Sequence, residues 1–255
     1  MAKEPERTWA RLRALYRFDV SVADGMLIAG CDEAGRGALA GPACVACVAI
    51  DITKEEIVNS LLGVDDSKRL TPKKRAELFE KIGRVATIGI GWTSPAEIDR
   101  IGIVPGLHNA TRRAYAALGV DADIVLLDRG LSLLSDLEIE KLNKLKINQL
   151  RDLEIRLSSL HPSDHPIIHS LNQSISKSLN LPITRSFTRG DSQSLHIATA
   201  SIVAKVTRDR LMEQLDRLIP GYGLAQHKGY GTVLHRTAIT SRGRSPIHRA
   251  SFTVK

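Results

Sequence analysis

Met26-Leu-Ile-Ala-Gly-Cys31, then Asp32-Glu-Ala-Gly-Arg-Gly37, then Pro42-Ala-Cys-Val-Ala-Cys-Val-Ala-Ile50: the reading of this run decides the fold. The first segment reads as a buried strand, the second as a turn and the third as another strand, so the pair forms a hairpin. Toward the N-terminus, Trp9, Leu12, Leu15 and Tyr16 recur at helical spacing and predict a short helix within an extension over 1–25. Toward the C-terminus, Thr71 can cap a helix running through Lys73, Leu78 and Ile82, because its hydroxyl can accept an orphan amide proton. Val85 to Trp92 follows as a third strand, Thr111 to Leu118 as a helix, and Asp123-Ile-Val-Leu-Leu-Asp128 as a short apolar strand ending on a carboxylate. Such runs sit centrally in a sheet covered on both faces.

Leu134 to Leu160 is dense in Leu and Ile with alternating charge, which predicts a long amphipathic helix or helical hairpin. His161-Pro-Ser-Asp-His-Pro166 breaks it, and a Ser/Asn-rich helix leads to a strand near Ile183 to Phe187. Ser194 to Leu215 is the longest helix, with Ala198, Ala200, Val203 and Ala204 allowing close approach to a sheet. A hairpin followed by strands alternating with helices gives an α/β class: a mixed β-sheet flanked by helices.

The 255 residues are 43% apolar and 25% charged, a composition that excludes collagen, long disorder and a disulfide-stapled miniprotein. No apolar run approaches the ~20 residues of a membrane span, and the opening segment does not read as a secretory signal. The expectation is a cytoplasmic protein with no membrane association, acting as a monomer. The formal net charge is +8. It is uneven: no acidic residue follows Asp216, whereas Arg217, Lys228, Arg236, Arg242, Arg244, Arg249 and Lys255 do. A basic C-terminal segment over 217–255 suits a polyanionic partner, since neutralised phosphates release counterions; a merely soluble basic surface explains the charge equally well.

Cys44-Val-Ala-Cys47 has thiol-redox or zinc spacing, with Cys31 as the third cysteine. On a strand, however, residues three apart face opposite ways, and a four-ligand zinc site has no second half here. Buried, reduced thiols are expected. Asp32 and Asp128 each end a strand, where sites in α/β sheets gather, and Asp191 opens the Ser194 helix, where it could be a plain N-cap. Taken singly, each has a dull explanation as turn residue, cap or surface charge. Together, three Asp and Glu33 at element ends could hold hard divalent cations, which prefer oxygen ligands. Two magnesium or manganese ions would suit an in-line phosphoryl displacement.

Asp32-Glu-Ala-Gly-Arg-Gly37 with Ala40-Gly-Pro42 resembles the signature of ribonuclease HII. The resemblance continues in family order at Asp66-Ser-Lys-Arg-Leu-Thr71, Leu126-Leu-Asp128, Gly190-Asp191, Ile197 to Asp209, His227-Lys-Gly-Tyr-Gly-Thr232 and Pro246 to Phe252. It implies an RNase H-like fold over 26–255 and an endoribonuclease that hydrolyses RNA in RNA–DNA hybrids. It further implies incision 5′ of a lone ribonucleotide in duplex DNA, leaving 5′-phosphate and 3′-hydroxyl ends. The family's acidic positions match Asp32, Glu33, Asp128 and Asp191, which would be both catalytic residues and ligands of Mn2+ or Mg2+. Glu33 could join them only if the strand ends before it; its alternative is a supporting structural carboxylate. Gly35, Arg36 and Gly37 match the turn that reads the 2′-hydroxyl through backbone amides and carbonyls. Tyr230 matches the tyrosine that senses the RNA–DNA junction, and Lys68 the lysine that contacts a phosphate. Arg242, Arg244 and Arg249 are generic backbone binders, His248 could orient its loop, and His196 reads as a helix-face residue.

The departure is the segment between Asp128 and Asp191, which is longer than in the family. Residues 131–182 therefore look like a helical insertion, a self-packed hairpin, a lid or an arm for a protein partner. Two rival classes remain. A non-catalytic module coating RNA is disfavoured by carboxylates facing a phosphate backbone, and a thiol oxidoreductase has only the Cys44/Cys47 spacing behind it.

Overall fold

The computed structural model describes residues 4–134 and 182–254. Met1–Leu133 with Thr184–Lys255 makes one compact unit and Leu134–Ile183 another. The larger carries the candidate site. Most of the expected helical insertion, 135–181, lies outside the described residues.

Five strands, β1 (Ile28–Ala34), β2 (Ala43–Ile50), β3 (Ala86–Thr93), β4 (Ile124–Asp128) and β5 (Ile183–Phe187), form one sheet in the order β3-β2-β1-β4-β5. β1 and β2 are antiparallel, with Cys31 opposite Cys47, and β2 and β3 are antiparallel with Cys44 opposite Trp92. β1 and β4 run parallel, in a register that ends at Cys31 opposite Leu127. The expected hairpin is present, but its first strand is longer than the sequence suggested: Asp32, Glu33 and Ala34 remain in the ladder opposite Ala46, Val45 and Cys44. The Asp and Glu that read as turn residues are thus strand residues, held there by the apolar β2 beside them.

Helices cover both faces. On one side α1 (Glu4–Ala23), α2 (Glu55–Ser60), α3 (Pro72–Val85) and α6 (Leu195–Leu218) enclose a core that includes Leu12, Leu15, Cys44, Leu78, Ile82 and Ile202. On the other, α5 (Ile103–Leu118), preceded by the short α4 (Pro95–Ile101), packs Leu107, Ala110 and Ala114 against Cys31, Val45, Cys47 and Val125. Cys44 and Cys47 therefore face opposite sides of the sheet, and all three thiols are free and buried. The end of α6, the short α7 (Leu224–His227) and α8 (Val233–Arg242) enclose a third core with Ala40, Met212, Tyr222 and Ile239.

Thr71 caps α3 as expected, its hydroxyl accepting the Lys74 amide at 3.2 Å. α5 begins at Ile103, well before the predicted Thr111, because Pro105 and Gly106, which look like breakers, lie in its first turn. A missing N–H there costs nothing, and Gly106 admits Thr93, whose hydroxyl would lie 2.8 Å from a Cβ. α1 spans 20 residues and is bound into the core: Asp19, fully buried, accepts the His196 amide at 3.0 Å and lies 2.7 Å from its Nδ1.

Candidate active site

The parallel register of β1 and β4 places Asp32 and Asp128 one residue beyond the last pair, at adjacent strand ends. Pairing between β1 and β4 stops at Cys31, so Glu33 lies past the end of that ladder, where its longer side chain can reach the same end of the sheet. One carboxylate oxygen from each of Asp32, Glu33 and Asp128 lies within 4.8 Å of the others. Glu33 joins the group although its strand continues, so the condition set for it in the sequence was too strict.

Crowding raises proton affinity. Burial first, then Glu33 and Asp128, holds the Asp32 carboxyl well above the usual carboxylate range, against the opposing hydrogen bonds from the Ser201 hydroxyl and the Glu33 amide. Glu33 Oε1 accepts from Arg36 Nε at 2.7 Å, while its Oε2 is buried without a protein partner.

Asp191 is not an N-cap. It sits in the 3-10 turn Gly190–Ser192, and Ser194 caps α6 by accepting the Ile197 amide at 3.2 Å. Arg189, left-handed at φ 57°, turns the chain so that the Gly190 amide donates to Asp128 Oδ1 at 2.8 Å. Asp191 thus lies beside the three-carboxylate group rather than within its 4.8 Å limit. Its carboxyl is pushed up to about 6, by burial and then by Asp66, with Lys68 opposing and Asp128 adding to the rise. Lys68 Nζ is 4.0 Å from Asp191 Oδ2 and its side chain is 84% exposed, so the ammonium is only loosely engaged.

Gly35 has φ 91°, and a Cβ there would lie 2.0 Å from Arg208 Nε, so the turn demands glycine. Gly37 faces open space. Arg36 connects the turn to the site through Glu33 and donates to the Arg129 carbonyl at 3.1 Å. Tyr230 is half-buried, with Lys205 Nζ 5.5 Å and the Arg208 guanidinium carbon 5.3 Å from its ring centre. It is linked to the glycine turn through Arg208, which donates to the Pro42 carbonyl at 2.9 Å and the Ala40 carbonyl at 3.2 Å.

Arg249, read from the sequence as a generic backbone binder, is instead a buried structural residue. It is 1% exposed and donates to the carbonyls of Gly35 (2.7 Å), Arg36 (2.8 Å) and Gly41 (2.9 and 3.1 Å). Arg244 likewise donates to the carbonyls of Arg249, Ala250 and Phe252. His196 is buried against Asp19, and His248 does bond its own loop, through Ser245. The sequence reading missed Asp66, whose carboxylate accepts the Lys68 amide at 2.9 Å and shares a hydrogen bond with Asp191. It also missed Ser201, bonded to Asp32 and 2.8 Å from Ser67 Oγ. Asp66 stood beside Lys68 in the quoted block and could have been found; Ser201 is a small helix residue with no local signal. Arg11 of α1, also missed, donates to Asp65 at 2.8 Å and to the Ser192 carbonyl at 3.0 Å, joining the two turns that carry Lys68 and Asp191.

The family model for ribonuclease HII matches this chain over residues 29–146 and 132–255. The ribonuclease HII of Geobacter sulfurreducens is 41% identical over 88% of this chain and 81% of its own. That of Lachnoclostridium phytofermentans is 38% identical over 95% and 76%. Among solved structures, the PCNA:RNase HII complex from Archaeoglobus fulgidus matches with TM-score 0.60 and 24% identity, covering 90% of this chain and 96% of the other. The ribonuclease H2 of Pyrococcus horikoshii OT3 matches with TM-score 0.58 and 23% identity, covering 90% and 95%. These last two establish the RNase H-like fold.

Proposed function

This chain belongs to the ribonuclease HII family of metal-dependent ribonucleases, which cleave RNA in RNA–DNA hybrids, and from that premise we propose that it also incises duplex DNA on the 5′ side of a single embedded ribonucleotide. The observation that carries the reading is the convergence of Asp32, Glu33 and Asp128 within 4.8 Å at two strand ends, with Asp191 beside them. Repelling carboxylates, one of them with an orphaned buried oxygen, suit divalent cations. Asp32, Glu33 and Asp128 would hold Mg2+ or Mn2+, with Asp191 supporting a second ion. Bound there, two such ions would make a coordinated water more acidic and offset charge developing on the phosphate.

The remaining tasks fall to the chain. Arg36 orients Glu33, and the Gly190 amide orients Asp128, so each carboxylate keeps an oxygen for the ions. Lys68, exposed and loosely held, is placed for a substrate phosphate. The carbonyls of Gly35 and Arg36 each accept from Arg249, which fixes the turn whose backbone amides and carbonyls read the 2′-hydroxyl. Tyr230 packs against the nucleotide at the junction. On the same reading, 26–255 is the catalytic domain, 131–182 an insertion available to a protein partner, and 217–255 the basic substrate-binding segment.

A duplex with one ribonucleotide, incubated with Mg2+ or Mn2+ and mapped to nucleotide resolution, tests the proposal. The expected cut lies on the 5′ side and leaves a 3′-hydroxyl. Asp128→Asn should still bind the duplex but not cut it. Cleavage confined to runs of ribonucleotides would contradict the reading.

A further inference from the structure

Beside Tyr230 lie three buried histidines, His227, His235 and His248, which the proposed hydrolysis does not use. The rings of His227 and His235 stack at 4.3 Å, and the ring centres of His235 and His248 are 5.2 Å apart. Their protons can be assigned by elimination, because a backbone amide can only donate. The Ser245 amide donates to His248 Nδ1 at 2.9 Å, and the Ser245 hydroxyl oxygen lies 2.8 Å from the same atom. His248 Nδ1 is therefore bare and the proton of the neutral ring is on Nε2. That atom is 3.1 Å from His235 Nε2, which must accept. The His235 proton is then on Nδ1, 3.0 Å from the Tyr230 carbonyl, to which it donates. The Gly229 amide donates to His227 Nδ1 at 3.2 Å, so His227 Nε2–H donates to the Tyr222 carbonyl at 2.8 Å. Burial keeps His235 and His248 neutral, His235 down to about 4.

The result is a one-way relay: Ser245 amide to His248, His248 to His235, His235 to the Tyr230 carbonyl. The segment it ends on is fixed from other sides too. Lys228 and Gly229 are left-handed at φ 53° and 81°, the Gly229 carbonyl accepts the amides of Leu39 and Ala40 at 2.8 and 3.2 Å, and the Tyr230 carbonyl also accepts the Thr232 amide at 2.8 Å. The backbone of Tyr230 is thereby registered against the loop that carries Gly35, Arg36 and Gly37.

We propose that His235 and His248 are positioning residues that set Tyr230 for telling a lone ribonucleotide in DNA from a continuous hybrid, an inference that rests on the reading of Tyr230 given above. Asn and Gln separate the two ends of His235. His235→Asn keeps an amide N–H where Nδ1–H stood, and so the bond to Tyr230; His235→Gln keeps the contact to His248 and loses that bond. The measurement is the ratio of cleavage rates on a single-ribonucleotide duplex and on a continuous hybrid, alongside each variant's unfolding temperature. His235→Asn should stay near the wild-type ratio. His235→Gln should lower it about fivefold or more, the factor one net hydrogen bond supplies, toward that of Tyr230→Ala, while both histidine variants lose similar stability.

A lowered ratio in Tyr230→Ala with an unchanged one in His235→Gln overturns the relay's role. An unchanged ratio in Tyr230→Ala itself overturns the reading of Tyr230 instead. Long-range 1H–15N spectra of the wild-type protein test the relay without any variant: the proton belongs on Nδ1 of His235 and Nε2 of His248, and the opposite tautomer at His235 refutes the assignment.

Discussion

The buried guanidinium of Arg249 ties down the loop carrying Gly35, Arg36 and Gly37 by donating to three of its carbonyls. Burial, and then the neighbouring Arg208 charge, lowers its pKa to about 10, the mark of a cation kept dry for structural use. A lysine offers one compact ammonium and cannot span three carbonyls. Arg249→Lys should therefore cost about 2–3 kcal/mol of stability in denaturant titrations, whereas Arg242→Ala, on an exposed side chain, should stay within about 0.5 kcal/mol. The Asp191 carboxyl has the opposite character. Its folded pKa of about 6 lies above the usual 3.8, so its contribution to stability is full below 3.8 and lost as pH rises through 6. Without metal, Asp191→Asn should raise stability by about 1–3 kcal/mol at pH 8 relative to wild type, and the gain should vanish near pH 3. Thermal unfolding at the two pH values measures both.

At the scale of elements, β1 shows what the sequence could and could not tell. Asp32 and Asp128 were legible because each follows an apolar run and marks where a strand meets the sheet end. Glu33 was legible only with an error. Alternation assigns it to the far face, and the sequence does not say that pairing with β4 stops at Cys31 while pairing with β2 runs on to Ala34. Asp191 was found as a candidate, but its turn depends on Arg189 and its neighbour Asp66 on distant packing. Arg249 was misread because its partners are more than 200 residues away in sequence, with |i−j| of 208 to 214. The helix–sheet contact behind the site is equally long-range: a Cβ on Gly30 would lie 2.4 Å from the His196 carbonyl carbon and 2.6 Å from the Ile197 amide nitrogen. Backbone cannot yield as a side chain does. Gly30→Ala should push α6 off β1, costing about 1–3 kcal/mol and lowering cleavage at temperatures where the protein is still folded.

The whole molecule carries a formal charge of +8, and its association with a nucleic acid should weaken steeply with salt. Arg242→Ala should reduce the slope of log K against log salt by about one; an unchanged slope would remove Arg242 from the contact surface. The histidine cluster contributes to the acid sensitivity of the fold. The groups facing His235 and His248 are His227, Arg244 and each other. With its pKa lowered from 6.5 to about 4, His235 contributes stability that is intact above pH 6.5 and lost as pH falls through 4, by about 1.4 kcal/mol per pH unit between them. Among the described residues no helix is long and apolar enough to cross a membrane.

The central claim is that Asp32, Glu33 and Asp128, helped by Asp191, form one divalent-cation site. Calorimetric titration of the metal-free protein with Mn2+, in two buffers of different ionisation enthalpy, tests it most directly. Binding should release protons at pH 6, because Asp32 and Asp191 hold theirs unusually late, and Asp128→Asn should weaken it at least about tenfold. Binding of unchanged affinity in Asp128→Asn, with no proton released by the wild type, would contradict the account.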